Sequence, residues 1–161
     1  MKFSFNRCWV VWWLAVTLFG GLRAGAATSS VFGLTAFNSP NVVLTNAAVT
    51  TTIMVTNLNV GSSSYLTTTH VTNAFSGPVN VTNYSSDYNT NLNFSAVTSG
   101  NTVVFSFSDF TNGGEIHIVF NWMPLAVGPL TNFIEVASSD VTNTAATNLV
   151  INEVYGPTAA L

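Results

Sequence analysis

Alternation of apolar and polar positions is the main pattern of this chain, and its clearest case is the stretch 50–58 (TTTIMVTNL). Ile53 and Val55 fall on one face of an extended segment, and Met54 falls on the other. A pleated strand points successive side chains to opposite faces, and β-branched residues suit a half-buried pleated surface. We therefore expect 50–58 to be a central strand of an antiparallel sandwich.

Other segments repeat this two-residue period between turn-forming residues. The predicted strands are 31–37, 41–46, 50–58, 65–75, 79–82, 92–96, 103–108, 115–122, 130–137 and 146–155. The segment 41–46 is interpreted as a second piece of the edge formed by 31–37. No segment keeps the three-and-four spacing of an amphipathic helix. The pattern predicts an all-β, antiparallel β-sandwich of about seven to nine strands.

The strongest turn signal is Thr111-Asn112-Gly113-Gly114, which lies between two alternating runs. A tight primed turn needs positive φ at its central residues, and Asn and Gly tolerate that conformation. The pattern therefore predicts a β-hairpin between 103–108 and 115–122. The polar segment 83–91 (NYSSDYNTN) is predicted to be a long loop.

The first 26 residues have the pattern of a targeting segment. Lys2 and Arg7 begin it, an apolar run follows at 8–19, and Ala24-Gly25-Ala26 supplies a small-x-small cleavage site. The alternative is a retained membrane anchor. Spanning a bilayer needs about 20 apolar residues, however, and this run is shorter. We expect a signal peptide at 1–26 and a single domain at 27–161.

Cleavage at that site would remove every basic side chain, because Lys2, Arg7 and Arg23 are the only Lys and Arg residues. The remaining chain keeps all six acidic residues, with a formal charge of −6 when histidines are neutral. Binding to a phosphate backbone depends on Lys and Arg, so nucleic acid and anionic membranes are excluded as direct partners. The single cysteine, Cys8, would leave as well, so no internal disulfide is expected.

Three blocks in the first half of the chain carry a family resemblance: SPN at 39–41, TTIMVTN at 51–57 and NVG at 59–61. Their order resembles the conserved-repeat domain of bacterial and archaeal surface proteins, known as domain of unknown function eleven. Later blocks at 100–107, 115–120, 128–132 and 138–143 extend the resemblance over most of 39–154. Thr51 replaces the family's aromatic residue, and Phe105 stands where Trp is usual.

The resemblance implies an immunoglobulin-like sandwich in exported or cell-surface proteins. That family has no established catalytic site, so the resemblance assigns no catalytic residue here.

A calcium site is an open alternative in the polar segment. Asp87, Asn89 and Asn91 have the D-x-N-x-N spacing that opens many calcium loops, because alternate oxygen ligands wrap around a hard cation. An EF-hand loop would also need Gly and Glu where Leu92 and Thr98 stand. The favoured interpretation is a polar turn, and neither a metal nor a cofactor is predicted.

His70 and His117 are predicted on the polar faces of separate strands. A zinc site needs three or four ligands, and pairing of a histidine with Glu115 or Asp109 stays open. The favoured interpretation is exposed or structural histidines. The sequence also lacks a Gly-x-Ser-x-Gly nucleophile motif, so no enzymatic activity is predicted.

Aromatic residues suggest a second kind of site, a sugar-stacking platform, because aromatic faces offer rigid apolar contact area. The candidates are Tyr65, Tyr84, Tyr88, Trp122 and Tyr155. Trp122 shares its face with a run of apolar residues and is predicted to be core, so Tyr84 and Tyr88 are the best exposed candidates.

These observations predict a non-catalytic structural or interaction module that is secreted or displayed at the cell surface. The alternative is a carbohydrate-binding module that uses exposed Tyr and Asn side chains. The expected partner is accordingly a protein or a glycan at the cell surface.

Overall fold

The computed structural model describes residues 31–59, 65–87, 93–141 and 145–157. Within these ranges the regular structure is entirely β, and no helix is long and apolar enough to cross a membrane. In chain order the strands are β1 (Phe32–Ser39), β2 (Val42–Leu44), β3 (Val49–Asn57), β4 (Tyr65–Leu66), β5 (Thr69–Phe75), β6 (Val79–Ser86), β7 (Ser95–Ser99), β8 (Thr102–Phe107), β9 (Phe110–Thr111), β10 (Glu115–Pro124), β11 (Gly128–Ser138) and β12 (Ala146–Tyr155).

The strands form two facing sheets. One sheet has four strands in the order β1-β3-β10-β6, and the other has six in the order β2-β12-β11-β5-β8-β7. β4 and β9 form a small third pair. The described pairings are antiparallel except the parallel contact of β2 with β12. This architecture confirms the predicted immunoglobulin-like antiparallel sandwich.

β3 is the central strand that the sequence predicts. It pairs with β1 on one side and β10 on the other. Ile53 and Val55 are fully buried, whereas Met54 lies on the outer face and is only partly buried. Apolar residues of both sheets meet these side chains across the interior. The two-residue period therefore assigns the two faces of β3 correctly.

The predicted hairpin between β8 and β10 is wrong. β8 lies in the six-stranded sheet and β10 lies in the four-stranded sheet. Phe105 of β8 and Ile118 of β10 are both fully buried, but they enter the core from opposite sides. Alternation shows which face of a strand is buried. It does not show whether two strands are neighbours in one sheet or face each other across the core. The turn with Gly113 at φ 71° leads from β9 into β10.

Other boundaries also differ from the sequence prediction: β7 spans Ser95–Ser99 instead of 92–96, and three further differences have a visible cause. β2 does not extend the edge of β1, because it joins the other sheet beside β12. The predicted strand 65–75 is interrupted where Asp140 accepts hydrogen bonds from the backbone and hydroxyl of Thr67. The predicted loop at 83–91 starts late, because Asn83 and Ser85 still pair with β10. In each case a contact distant in sequence decides the boundary.

A buried polar chain links the two sheets near the β1–β2 crossover. Trp122 Nε1 donates to Thr51 Oγ1 at 2.8 Å, and the Thr51 hydroxyl donates to Asn38 Oδ1 at 2.6 Å. Asn38 Nδ2 donates to Asn152 Oδ1, and Asn152 Nδ2 donates to the Pro40 carbonyl at 2.9 Å. These bonds connect β10, β3 and β1 with β12. A satisfied network of this kind favours one arrangement of the core.

Candidate functional site

The outer face of the four-stranded sheet carries a cluster of one histidine and two carboxylates. His117 Nδ1 lies 2.5 Å from Asp87 Oδ2, and His117 Nε2 lies 3.1 Å from Glu115 Oε1. The backbone N–H of His117 also donates to Asp87 Oδ1 at 2.8 Å. Asp87 reaches this position because it directly follows β6, which runs beside β10. The imidazole therefore bridges two carboxylates.

Asp87 and His117 shift each other's pKa. The hydrogen bond to Asp87 is the main cause that raises the pKa of His117 above its ordinary value of 6.5, and the charges of Asp87 and Glu115 add to it. Burial acts to raise the pKa of Asp87, but the hydrogen bonds and charge of His117 outweigh it. The pKa of Asp87 is therefore lowered from 3.8. Both shifts favour the ion pair over its neutral form.

The geometry suits a bridging histidine better than a catalytic base. In a Ser–His–Asp triad one imidazole nitrogen faces the acid and the other faces the nucleophile. Here both nitrogens of His117 face carboxylates. Among the described residues, no group of three or more His, Cys, Asp or Glu side chains is placed to hold a metal ion.

A groove of about 440 Å³ lies beside this cluster on the same face. Its apolar wall consists of Phe37 from β1, Met54 from β3 and Val119 from β10, and Phe37 is 59% exposed. Thr and Ser hydroxyls from β1, β3 and β6 line the rest, and Asp87 and His117 close one end. We refer to this concavity as the groove. It combines an apolar wall with an acidic end.

His70 lies far from the groove, on the other sheet. Its Nδ1 is 2.9 Å from Ser106 Oγ, and the two residues are cross-strand neighbours on β5 and β8. The structure therefore does not bring the two histidines together. The sequence left open whether a histidine pairs with Glu115, and the structure shows that His117 does. The contact of His117 with Asp87 is not predicted by the sequence.

The candidate aromatic residues do not form one platform among the described residues. Trp122 is fully buried, which confirms it as core. The Tyr84 ring packs against Phe94 and Phe105 at centroid distances of 6.3 and 6.1 Å. Tyr65 and Tyr155 are exposed, but they lie on β4 and β12.

Two of the predicted site elements fall on residues that the structure does not describe. Tyr88, Asn89 and Asn91 lie outside the described residues, so the calcium alternative stays open. Asp87, the first residue of that motif, is hydrogen-bonded to His117.

The outer face of the six-stranded sheet carries an apolar patch. Phe133 of β11 lies directly opposite Leu149 of β12, and Ile151 follows two residues along β12. Their exposed fractions are 42%, 57% and 54%. We define Phe133, Leu149 and Ile151 as the apolar patch. Contiguous exposed apolar residues mark interaction surfaces more often than isolated ones do.

Comparison with known proteins finds similar structures but no matching sequence family. No family model matches the chain, and no curated protein matches it in sequence. The N-terminal domain of a Streptococcus gordonii adhesin superposes with a TM-score of 0.61 at 9% identity, covering 76% of this chain and 32% of that chain. A cohesin module from a Clostridium perfringens family 33 glycoside hydrolase gives 0.57 at 9% identity, covering 80% and 100%. The Corynebacterium diphtheriae major pilin SpaD gives 0.55 at 16% identity, covering 77% and 33%.

At these identities the likeness shows the fold alone. The chain is an immunoglobulin-like β-sandwich, similar to domains of adhesins, pilins and cohesins. It spans about a third of the adhesin and pilin chains and the whole of the cohesin module. The resemblance to the conserved-repeat domain of surface proteins stays a prediction.

Proposed function

We propose that this protein is a non-catalytic structural or interaction module of the cell surface, and that it contacts a partner protein through the apolar patch. The observation that carries the proposal is the exposure of Phe133, Leu149 and Ile151 side by side on the outer face of the six-stranded sheet. Burying such side chains releases about 25 cal/mol for each Å² of apolar surface removed from water.

The comparisons support the same class of function. Adhesins and pilins are surface proteins by their names, and the domains that superpose on this chain come from such proteins. The membership in the conserved-repeat family of surface proteins, which the sequence suggests, is part of this proposal. So is export to the cell surface by the N-terminal segment.

The test is binding of the purified protein to envelope preparations of the producing cells. The Leu149→Thr/Ile151→Thr double variant places β-branched Thr at both positions of β12, so the strand should persist while the patch becomes polar. We expect it to bind at least tenfold more weakly. Val97→Thr is the matched control, because Val97 is 66% exposed on β7 at the far edge of the same sheet. Equal binding by all three proteins would exclude the patch, and absence of envelope binding would contradict the interaction role.

The carbohydrate-binding alternative stays a prediction that rests on Tyr84 and Tyr88. A polysaccharide pull-down with the Tyr84→Ala/Tyr88→Ala pair separates it from the proposal. Loss of glycan binding in that variant would support the alternative, and wild-type protein that retains no polysaccharide would exclude it.

A further inference from the structure

We propose that the groove on the four-stranded sheet binds an extended segment of a partner protein through a lysine or arginine side chain. The aliphatic part of that side chain lies on Phe37 and Met54, and its charged end reaches Asp87 and Glu115. The inference deepens the proposed function. It rests on that proposal in one respect, which is that the partner is a protein.

The first step is the charge at the end of the groove. Asp87 lines the groove, and Glu115 lies next to it against His117 Nε2. Among the described residues, His117 is the only side chain in contact with both carboxylates that can carry positive charge. Even a protonated His117 leaves the cluster with a net charge of about −1. The chain has no Lys or Arg after Arg23, so no basic residue of the described ranges neutralises it. The cluster therefore complements a cation from elsewhere.

The second step is the capacity of the carboxylates to accept more hydrogen bonds. The side chains of Asp87 and Glu115 are 57% and 45% exposed. Glu115 Oε1 faces His117 and Oε2 accepts from Thr56 Oγ1 at 3.3 Å, while both oxygens of Asp87 accept from His117. An ionised carboxylate offers about four lone pairs, so each oxygen keeps an acceptor site open to solvent.

The third step is the apolar wall, which a simple cation would not use. Lys and Arg lay their methylene stems along apolar surface and keep the charged head in water. Phe37 and Met54 lie diagonally across the β1–β3 pair, and Met54 lies directly opposite His117 on β10. The apolar wall of the groove therefore leads to its acidic end. Met side chains also adapt to ligands of different shape.

The fourth step favours an extended peptide over other ligands. The groove lies on the outer face of β1, β3, β10 and β6, and the hydroxyls of Thr35, Thr52 and Ser85 line it. These hydroxyls can donate to and accept from an extended backbone that crosses them. A sugar would also find hydroxyls and an aromatic ring, but it carries no positive charge for the paired carboxylates.

The test is an NMR titration of the purified protein with three blocked peptides: Val-Lys-Val-Lys-Val, Val-Thr-Val-Thr-Val and Val-Glu-Val-Glu-Val. We expect the lysine peptide to give saturable shifts of the Met54 methyl and His117 ring signals, and the glutamate peptide to give none. In Asp87→Asn/Glu115→Gln the affinity for the lysine peptide should fall roughly tenfold, since exposed ion pairs contribute modestly.

The matched control is Glu135→Gln/Glu153→Gln, which removes two charges from the outer face of the other sheet and should leave affinity unchanged. Phe37→Thr, at a position 59% exposed, tests the apolar wall without changing charge and should also weaken binding. If Asp87→Asn/Glu115→Gln fails to fold, the affinity of Phe37→Thr for the lysine peptide tests the inference instead.

Three results would overturn the inference: equal binding of the three peptides, equal loss in both double variants, or no saturable shift at Met54. A cello-oligosaccharide that shifts Met54 equally in wild type and Asp87→Asn/Glu115→Gln would assign the groove to glycans instead. None of these results changes envelope binding through the apolar patch, which lies on the opposite sheet, so the two proposals fail independently.

Discussion

Asn132 and Asn152 are both fully buried, but their amide groups have different surroundings. Asn152 accepts from Asn38 and donates to the Pro40 carbonyl. The side-chain nitrogen and oxygen of Asn132 find no hydrogen-bond partner within the described part of the chain. Burying a polar group without a hydrogen-bond partner costs about 1–3 kcal/mol. Removing one member of a buried hydrogen-bonded pair leaves the other member with that cost. The same substitution should therefore have opposite effects at the two positions.

We expect Asn132→Leu to raise the free energy of unfolding by about 1 kcal/mol, because it removes an unpaired amide and keeps the side-chain size. Asn152→Leu should lower it by about 2–4 kcal/mol, because Asn38 and the Pro40 carbonyl lose their partner. Urea denaturation of both variants measures the difference. Equal destabilisation would mean that Asn132 has a partner in solution.

The ion pair of Asp87 and His117 should stabilise the fold in a defined pH range. The pKa of His117 is raised, so its contribution is fully present below 6.5 and is lost as pH rises through the folded-state pKa. The pKa of Asp87 is lowered, so its contribution is present above 3.8 and is lost as pH falls through the folded-state pKa. Wild type should therefore exceed Asp87→Asn most in stability between pH 3.8 and 6.5.

NMR titration of the His117 ring checks the cause directly. The midpoint should lie above 6.5 in wild type and move down in Asp87→Asn, since the hydrogen bond from His117 to Asp87 is the main stabiliser of the imidazolium. Glu153→Gln, on the outer face of β12, makes the same change of charge and should leave the midpoint in place. A midpoint that Asp87→Asn does not move would show that the contact is absent in solution.

At the scale of elements, strands were predictable and their partners were not. β12 was predicted with the bounds that the structure has, because its alternation and its turns are local signals. The pairing of β8 and β10 was wrong, because alternation does not distinguish strands in one sheet from strands in facing sheets. Leu149 and Ile151 share one face of β12 by alternation, but alternation does not say which face is exposed. In the structure Asn152 and Val154 take the buried side.

One tight hairpin joins β7 and β8, where Ser99 pairs with Thr102 across Gly100 and Asn101. Gly100 has φ 55°, and L-residues adopt that conformation at a cost of about 1 kcal/mol. Gly100→Ala should therefore lower the free energy of unfolding by about 1 kcal/mol.

Gly77→Ala is the control for that substitution. An added Cβ at Gly77 would meet the Leu130 side chain at 3.6 Å, which is an ordinary contact, and its φ lies outside the left-handed region. Its stability in urea should stay within about 0.5 kcal/mol of wild type. Equal losses at both positions would show that the turn conformation is not the cause.

For the whole molecule, the candidate surfaces depend on sheet order more than on sequence motifs. Asp87 and His117 meet because β6 lies beside β10, and residues 30 apart in the chain give no local sign of that pairing. The apolar patch likewise needs β11 and β12 to be neighbours. What composition did predict is the sign of the charge, because the acids alone remain after Arg23. The chemistry of a partner was therefore easier to foresee than the place where it binds.

The same charge pattern makes export testable on the intact protein. If cleavage follows Ala26, the secreted chain contains no Lys or Arg and trypsin has no site in it, even after denaturation. We expect its mass to be unchanged by trypsin in urea and to fit a chain that starts at Ala27. A glutamate-specific protease is the control, since the denatured chain should be cut at Glu115, Glu135 and Glu153. A tryptic cut would mean that Arg23 stays in the secreted protein. The secreted chain would then carry a basic residue before its six acidic residues.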